Sequence, residues 1–286
     1  MRKGFVPANT IYAMILVVLF ILAVGQLFYY FLHQETTLEY FLSDIYVARN
    51  GINLANLYLE NSLDFSVYQA MYDNGRRGGW KEIPAGSKHD ENLSYWEETG
   101  GVITPSKEDL NNSLRSAITE NLNKYVSGGY TFLSKYYILP EFKPDQITIS
   151  EPGDATKVSA SSDRNILFHD VIQHETGEER ISIESTPKLG NTYTFDYFDL
   201  YEKSSGIFRK VKSTSCDVLN EGDERTTTEG DYKYTQRVLS KASSASTCIA
   251  EVRVNVTGAD PKKFPVFNGT DVSFEPVSMV FVVKIG

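Results

Sequence analysis

Histidine–carboxylate pairs are the residues of this sequence whose types could support catalysis or metal binding. His169-Asp170 and His174-Glu175 are two such pairs, and the whole chain has four histidines. Positions five residues apart fall on opposite faces of a strand, whereas zinc ligands must converge from one side. We therefore predict solvated strand or loop residues here, with no metal site, no cofactor and no catalytic residue.

A second polar cluster is acidic and includes the glycines Gly222 and Gly230. It contains Asp223, Glu224, Glu229 and Asp231. The ligand order of an EF-hand loop is missing, so the pattern favours a solvated turn, with a loose calcium site as the alternative. The sequence also lacks the nucleophile elbow, the phosphate-binding loop, the dinucleotide glycine pattern and the HExxH and CxxC motifs. These absences predict a protein that is not an enzyme.

The two cysteines, Cys216 and Cys248, are the only ones in the chain. Outside a reducing compartment an even pair favours a disulfide, with two buried free thiols as the alternative. Closing a loop of this length would stabilise the fold by about 3–4 kcal/mol.

Four Asn-x-Ser/Thr sequons predict potential N-glycosylation sites and so a glycoprotein. They begin at Asn92, Asn111, Asn255 and Asn268. Alternation along the segment from Cys248 to Thr257 places Asn255 on the polar face of a strand, where a glycan would have room.

Composition limits the partners and favours β-structure. The 286 residues carry a net charge of −9, and 13% of them are aromatic. Nucleic-acid binding requires a concentrated basic face, which the sequence does not offer, so we predict no nucleic-acid partner.

The N-terminal region is the longest apolar stretch of the chain. No formal charge occurs from Gly4 to Gln34, counting His33 as neutral. The length predicts a transmembrane helix over 5–33, in contact with membrane lipid. Basic residues before it and acidic residues after it predict a cytoplasmic N-terminus and a single-pass protein with an extracellular C-terminal domain. A secretory signal cleaved after Gly25 is the alternative.

The first residues resemble a type IV pilin-like protein of the archaeal pilin and pseudopilin kind. The matching residues are Arg2-Lys3-Gly4, then Phe5-Val6-Pro7, then the apolar helix. The resemblance implies a basic leader over 1–4, cleaved between Gly4 and Phe5, and a mature helix that assembles with other pilin-like subunits. Pro7 is typical of archaeal members. Asn9 stands where bacterial major pilins usually carry Glu, so a minor or tip subunit is as compatible as a shaft subunit.

Hydrophobic periodicity predicts the remaining elements. Helical spacing continues over 34–75, with a kink at Asn50-Gly51. The glycine-rich loop from Asn74 to Trp80 then ends the helix, with a contact surface as the alternative role for that loop. Capping-box spacing predicts a helix over about 106–127. Strands dominate from residue 130, including 192–201 and 206–212, while 232–241 favours a short helix.

Together these elements predict an α+β fold with a long N-terminal transmembrane and amphipathic helix. An antiparallel β-rich extracellular head over 76–286, with one further helix, would follow. The resulting functional hypothesis is a pilin-like structural subunit of a cell-surface filament or secretion-type assembly. The alternatives are a membrane-anchored receptor or binding protein and, third, an anchored enzyme.

Overall fold

The computed structural model describes the backbone at residues 8–90, 92–96, 104–151, 155–174, 177–244, 247–268 and 271–286. Side chains are described over the same ranges except at 8–18, 32–41, 171–174, 177–180 and 268. Within these ranges, two α-helices, seven strands, a third α-helix and six further strands follow one another in separate runs, and all sheets are antiparallel, which gives an α+β fold.

One helix, α1, runs without a break over Ala8–Arg76, 69 residues. At 1.5 Å per residue it is about 100 Å long. The two segments predicted at 5–33 and 34–75 are thus parts of a single helix, and the helix continues through Asn50-Gly51. Apolar residues at three- and four-residue steps bury one face of its C-terminal half, namely Ala48, Ile52, Ala55, Leu59, Leu63, Val67, Ala70 and Met71.

Crossing a bilayer takes a helix with about 20 consecutive apolar residues. In the part of the chain that the structure describes, no helix is long and apolar enough to do so. The predicted transmembrane segment over 5–33 and the single-pass localisation are therefore wrong.

Two further α-helices follow, rather than the one that was predicted. Helix α2 covers Lys107–Val126 and begins with the expected capping box between Ser106 and Asp109. Helix α3 covers Tyr197–Lys212, where strands were predicted at 192–201 and 206–212. Residues 192–201 are rich in aromatic side chains and threonine, which favour a strand. The Asp196 carboxylate instead accepts hydrogen bonds from the backbone N–H groups of the first turn of α3 and so starts the helix.

Thirteen strands, all paired antiparallel, are assigned within the described residues. Sheet I has the order β1-β2-β5-β6, sheet II β13-β10-β9-β8 and sheet III β3-β4-β7, and β11-β12 form a separate hairpin. Their bounds are β1 Tyr130–Phe132, β2 Lys135–Ile138, β3 Ile147–Ser150, β4 Thr156–Ser161, β5 Ile166–His174, β6 Gly177–Ser185, β7 Lys188–Tyr193, β8 Glu224–Glu229, β9 Tyr232–Ser243, β10 Cys248–Gly258, β11 Lys263–Asn268, β12 Asp271–Pro276 and β13 Met279–Ile285.

Strand β9 occupies the segment 232–241, for which a short helix was predicted. It pairs with β8 on one side and with β10 on the other. These two rows of backbone hydrogen bonds outweigh the weak helical preference of the segment, because local propensity is a small term beside tertiary pairing.

The core lies where α1, α2 and α3 meet the sheets. Its aromatic centre is Trp96, whose ring stacks on Phe281 of β13 with centroids 3.9 Å apart and also contacts Phe208 of α3. The Trp96 indole N–H donates to the carbonyl of Gly78, 3.1 Å away. The loop after α1 is thereby fixed to sheet II.

Asp64 on α1 is a polar junction between the helix and sheet III. Its carboxylate accepts a hydrogen bond from the Tyr193 hydroxyl at 2.7 Å and from the Asn191 side-chain amide at 3.0 Å. Burial, followed by the hydrogen bond to Asp64, raises the pKa of Tyr193 far above its ordinary value of 10. The phenol therefore stays neutral in the folded protein at alkaline pH.

Gly51 provides the first test of the fold. A Cβ at this position would lie 1.8 Å from the Tyr137 hydroxyl oxygen, so α1 and β2 could not keep their present separation. We expect Gly51→Ala to lower the free energy of unfolding by about 1–3 kcal/mol, as overpacking does. Urea denaturation measures the change.

The matched control is Gly206→Ala, a second helical glycine, in α3, whose added Cβ would have no heavy atom within 4 Å. This change should be neutral or stabilise by about 0.5–1 kcal/mol through helix propensity. Equal effects of the two substitutions would contradict the close approach of Tyr137 to Gly51.

Alkaline pH tests the Asp64–Tyr193 contact. Above pH 10 the unfolded chain releases the Tyr193 proton while the folded protein retains it. The free energy of unfolding should therefore fall with rising pH, with Tyr193 contributing up to ~1.4 kcal/mol per pH unit. Tyr193→Phe should cost about 1 kcal/mol at neutral pH but show a shallower decline above pH 10. Parallel curves for the two proteins would rule the contact out.

Candidate assembly surface

The histidine pairs do not form a site in the described structure. His169 is exposed on β5, where its neighbour Asp170 pairs with Lys135 of β2. The His174 side chain and all of Glu175 lie outside the described residues. Among the residues that are described, no group of three or more His, Cys, Asp or Glu side chains is placed to hold a metal ion.

The acidic cluster is divided by a strand. Asp223 and Glu224 lie at the start of β8, whereas Glu229 and Asp231 lie at its end. Glu229 pairs with Lys210 of α3, and the Asp223 carboxylate accepts hydrogen bonds from Asn220. A six-residue strand is about 20 Å long. The two ends of the cluster therefore do not share a ligand.

Cys216 and Cys248 form a disulfide, with their Cα atoms 5.8 Å apart. It ties the short 3-10 helix Cys216–Val218, which follows α3, to the start of β10. The bond agrees with the disulfide predicted from the even pair of cysteines, and the alternative of two free thiols does not apply.

The four sequons lie in different surroundings, and their use for glycosylation stays a prediction. Asn92 is exposed in the segment before Trp96. Asn111 is half-buried on α2, and Asn255 is half-buried on the more polar face of β10, as expected. The Asn268 side chain lies outside the described residues, as do the predicted leader residues Gly4 and Phe5.

The glycine-rich loop after α1 is largely internal. Gly78 and Gly79 have positive φ angles, and a Cβ on Gly78 would lie 2.3 Å from the Ser94 hydroxyl oxygen. The Arg77 guanidinium donates to the Lys81 carbonyl, 2.7 Å away. The loop thus ends the helix and fills space against sheet II, which matches the predicted terminator better than the alternative contact surface.

A hydrogen-bonded cluster on the outer side of sheet II was not predicted. Glu251 of β10 accepts a hydrogen bond from the Tyr95 hydroxyl at 2.7 Å and another from Ser240 at 3.1 Å. The His89 ring lies 3.6 Å from the same carboxylate. The Tyr95 hydrogen bond, with Ser240 and His89 contributing, holds the pKa of Glu251 below its usual range. The cluster attaches His89 and Tyr95 to the sheet.

A cleft of about 400 Å³ lies between α3 and the β8–β9 turn. Its charged groups are already engaged: Lys210 pairs with Glu229, and the Tyr232 hydroxyl donates to Asp199. Lys203 lies over the Tyr232 ring, 5.9 Å from its centroid. The groups lining the cleft are therefore used to join α3 to sheet II.

The most unusual surface of the molecule is the part of α1 over residues 19–31, which we call the apolar rod. Its large apolar side chains are between 41% and 70% exposed. They are Leu19, Phe20, Ile21, Leu22, Val24, Leu27, Phe28, Tyr29, Tyr30 and Phe31. Residues 19–31 carry no charged side chain.

The apolar rod is exposed on all sides rather than along one stripe. Successive residues of an α-helix are turned by about 100°, so the four consecutive residues Leu19 to Leu22 face four directions. A helix with apolar side chains on every face is normally buried, with other apolar groups packed against each face. The folded head, meaning residues 76–286 and the part of α1 packed on them, buries α1 from Ala48 onward and leaves the rod uncovered.

Comparison with known proteins found no match among protein families, curated proteins or solved structures.

Acid pH tests the Glu251 cluster. A carboxyl group whose pKa is lowered on folding stabilises the protein above its unfolded value of 4.5, and this contribution is lost as pH falls through the lower folded value. We expect Glu251→Gln to lower the free energy of unfolding by about 1–2 kcal/mol at pH 7 and to flatten its decline on acidification. Tyr95→Phe should reduce the acid dependence in the same direction. An unchanged acid profile in both variants would contradict the cluster.

Proposed function

We propose that this protein is a pilin-like structural subunit that assembles with copies of itself through the apolar rod of α1. The assembly would be a cell-surface filament or a secretion-type complex. The observation that carries the proposal is the exposure of a run of large apolar side chains in every direction around one helix. Burying a side chain such as Leu or Phe stabilises an association by about 1.5–3 kcal/mol, so the rod favours assembly strongly.

The distribution of these side chains favours several neighbours over one. A single partner helix covers one face, as in a coiled coil, where an apolar stripe is sufficient. A rod with apolar side chains on all faces is covered when it lies inside a bundle of like helices. Packing of apolar stripes from several copies would then form the core of the assembly.

The connection between rod and head supports the same proposal. Helix α1 runs without interruption from the rod into the core, where Leu59, Leu63 and Val67 are fully buried. The rod is therefore a fixed extension of the head rather than a separately tethered segment. In a bundle built from such rods, the heads would lie at the outside, each at a defined position along the axis.

The N-terminal resemblance and the disulfide are consistent with this function. The residues that resemble a pilin leader, Arg2-Lys3-Gly4-Phe5, come before α1 in the sequence. The Cys216–Cys248 disulfide fits the oxidising surroundings in which surface assemblies reside. Asn9, in place of the usual Glu of bacterial major pilins, favours a minor or tip position as much as a shaft position.

Self-association of the full chain tests the proposal. Phe28→Glu places a charge on the rod, where it would be desolvated in the assembly while the head stays unchanged. We expect the association measured by sedimentation velocity to weaken at least ~100-fold, from the lost apolar burial and the cost of burying a carboxylate.

The matched control is Val218→Glu, which introduces the same charge at an apolar side chain that is 69% exposed on the head. This variant should assemble like the wild type. A wild-type chain that stays monomeric, or a Phe28→Glu chain that assembles normally, would contradict the proposal. Mass spectrometry of protein made in its native host should find Phe5 as the mature N-terminus.

A further inference from the structure

The β11–β12 hairpin has two unlike faces. In its antiparallel register Phe267 is opposite Val272, and Pro265 is opposite Phe274. Because opposite residues share a face and side chains alternate along a strand, these four lie together on one side of the hairpin. Val266, on the other side, is buried.

The outer face is apolar and exposed. Phe267 is 49% exposed, Val272 53% and Phe274 65%, and we call these three residues the hairpin patch. Two strands with no further neighbour form a marginal sheet by themselves. Three large apolar side chains gathered on such a hairpin mark a contact surface rather than isolated exposed residues.

The inner face anchors the hairpin to α1. The Phe264 ring stacks on Tyr68 of α1, with centroids 4.4 Å apart. The Gln69 side-chain amide accepts from the Phe267 backbone N–H at 2.6 Å and donates to the Phe267 carbonyl at 3.3 Å. It thus binds both backbone groups of Phe267 as a neighbouring strand would. The hairpin patch is therefore fixed in position relative to the helix.

Helix α1, against which β11 packs, also carries exposed apolar side chains. Leu54, Leu57 and Phe65 are exposed on the helix, and Phe65 lies one turn before Gln69. At 100° per residue, the three residues fall within an arc of about 80° that also contains the exposed, uncharged Asn61, and Gln69 lies about 40° beyond the arc. We call Leu54, Leu57 and Phe65 the α1 stripe.

We propose that the hairpin patch and the α1 stripe together form a second assembly contact, which receives the apolar rod of a neighbouring copy of this chain. The inference rests on the proposed function, and it names the surface on the head to which one subunit binds the next. Such a contact is heterologous, because one surface binds a different surface of the copy. Contacts of this kind can repeat to give a filament.

A second copy fits this surface because its rod has the required chemistry. The rod is uncharged and apolar on every side, so any of its faces can lie against Phe267, Val272 and Phe274 without burying a charge. The charged residues of the hairpin, such as Lys263, Asp271 and Glu275, lie towards the strand ends and would remain at the rim.

Substitution within the hairpin patch tests the contact. We expect Phe274→Glu to weaken self-association of the full chain at least tenfold in sedimentation velocity, while thermal unfolding stays within a few degrees of the wild type. Phe274→Ser, which adds no charge, should weaken it in the same direction and guards against a misfolded first variant. Val218→Glu remains the control with unchanged association.

The outcomes separate this inference from the proposed function. If Phe28→Glu abolishes assembly but Phe274→Glu and Phe274→Ser assemble like the wild type, the hairpin contact is overturned and the rod proposal stands. A wild-type chain that stays monomeric overturns both.

A labelled cysteine gives an independent measurement. The two native cysteines are joined in the disulfide, so Val272→Cys supplies a single free thiol for an environment-sensitive fluorophore. We expect its emission to shift to shorter wavelength as the wild-type background assembles, and to stay constant when Phe28→Glu is added. Emission that is unchanged in an assembling chain would overturn the hairpin contact.

Discussion

Burial of one face of α1 from Ala48 to Met71 is the constraint on which the head depends. This face packs against α2 and against parts of sheets I, II and III. The helix is therefore a packing partner that the three separate sheets share. Small residues at Ala48, Ala55 and Ala70 allow close approach of the neighbouring elements. The hydrogen bond between Asp64 of α1 and Tyr193 of β7 fixes the position of sheet III along the helix axis.

Several loops and connecting segments of the head are also held in place around α1 by specific contacts. The Trp96 indole N–H donates to Gly78 in the glycine-rich loop after α1, and the Trp96 ring packs on Phe281 of β13 and Phe208 of α3. Trp96 therefore joins this loop to β13 and α3. The disulfide ties the segment after α3 to β10, and the Glu251 cluster holds His89 and Tyr95 on sheet II. Among the described residues, these polar and titratable groups position neighbouring segments of the head.

Over residues 19–31, α1 exposes its apolar side chains instead of burying them. The same helix that is completely covered at Leu59 and Leu63 presents Phe20 and Phe28 to the surroundings. A polypeptide in water does not leave such side chains uncovered without cost, because each would release free energy on burial. The proposed assembly covers the rod with its own copies, and the hairpin patch extends the covered surface onto the head.

Local signals in the sequence determined those features that depend on neighbouring residues alone. The Ser106–Asp109 capping box located the start of α2, and the alternation from Cys248 predicted β10 with the correct polar face. The spacing of apolar residues predicted helix beyond residue 34, although the kink expected at Asn50-Gly51 is not formed. The even pair of cysteines indicated the disulfide. The apolar character of 5–33 was equally evident, but its interpretation as a membrane span was wrong. The apolar character of a helix does not reveal whether lipid or other helices pack against it, because lipid tails and apolar side chains have similar polarity.

Tertiary structure decided the features that need partners distant in the chain. Strand β9 exists because β8 and β10 pair with it on both sides, against the helical preference of its residues. Gly51 is required by the ring of Tyr137, 86 positions later, and not by a kink. The Glu251 cluster gathers residues that no local spacing connects. Sequence fixes short-range periodicity and caps, whereas the pairing of strands and the exposure of a surface are set by packing of the whole chain.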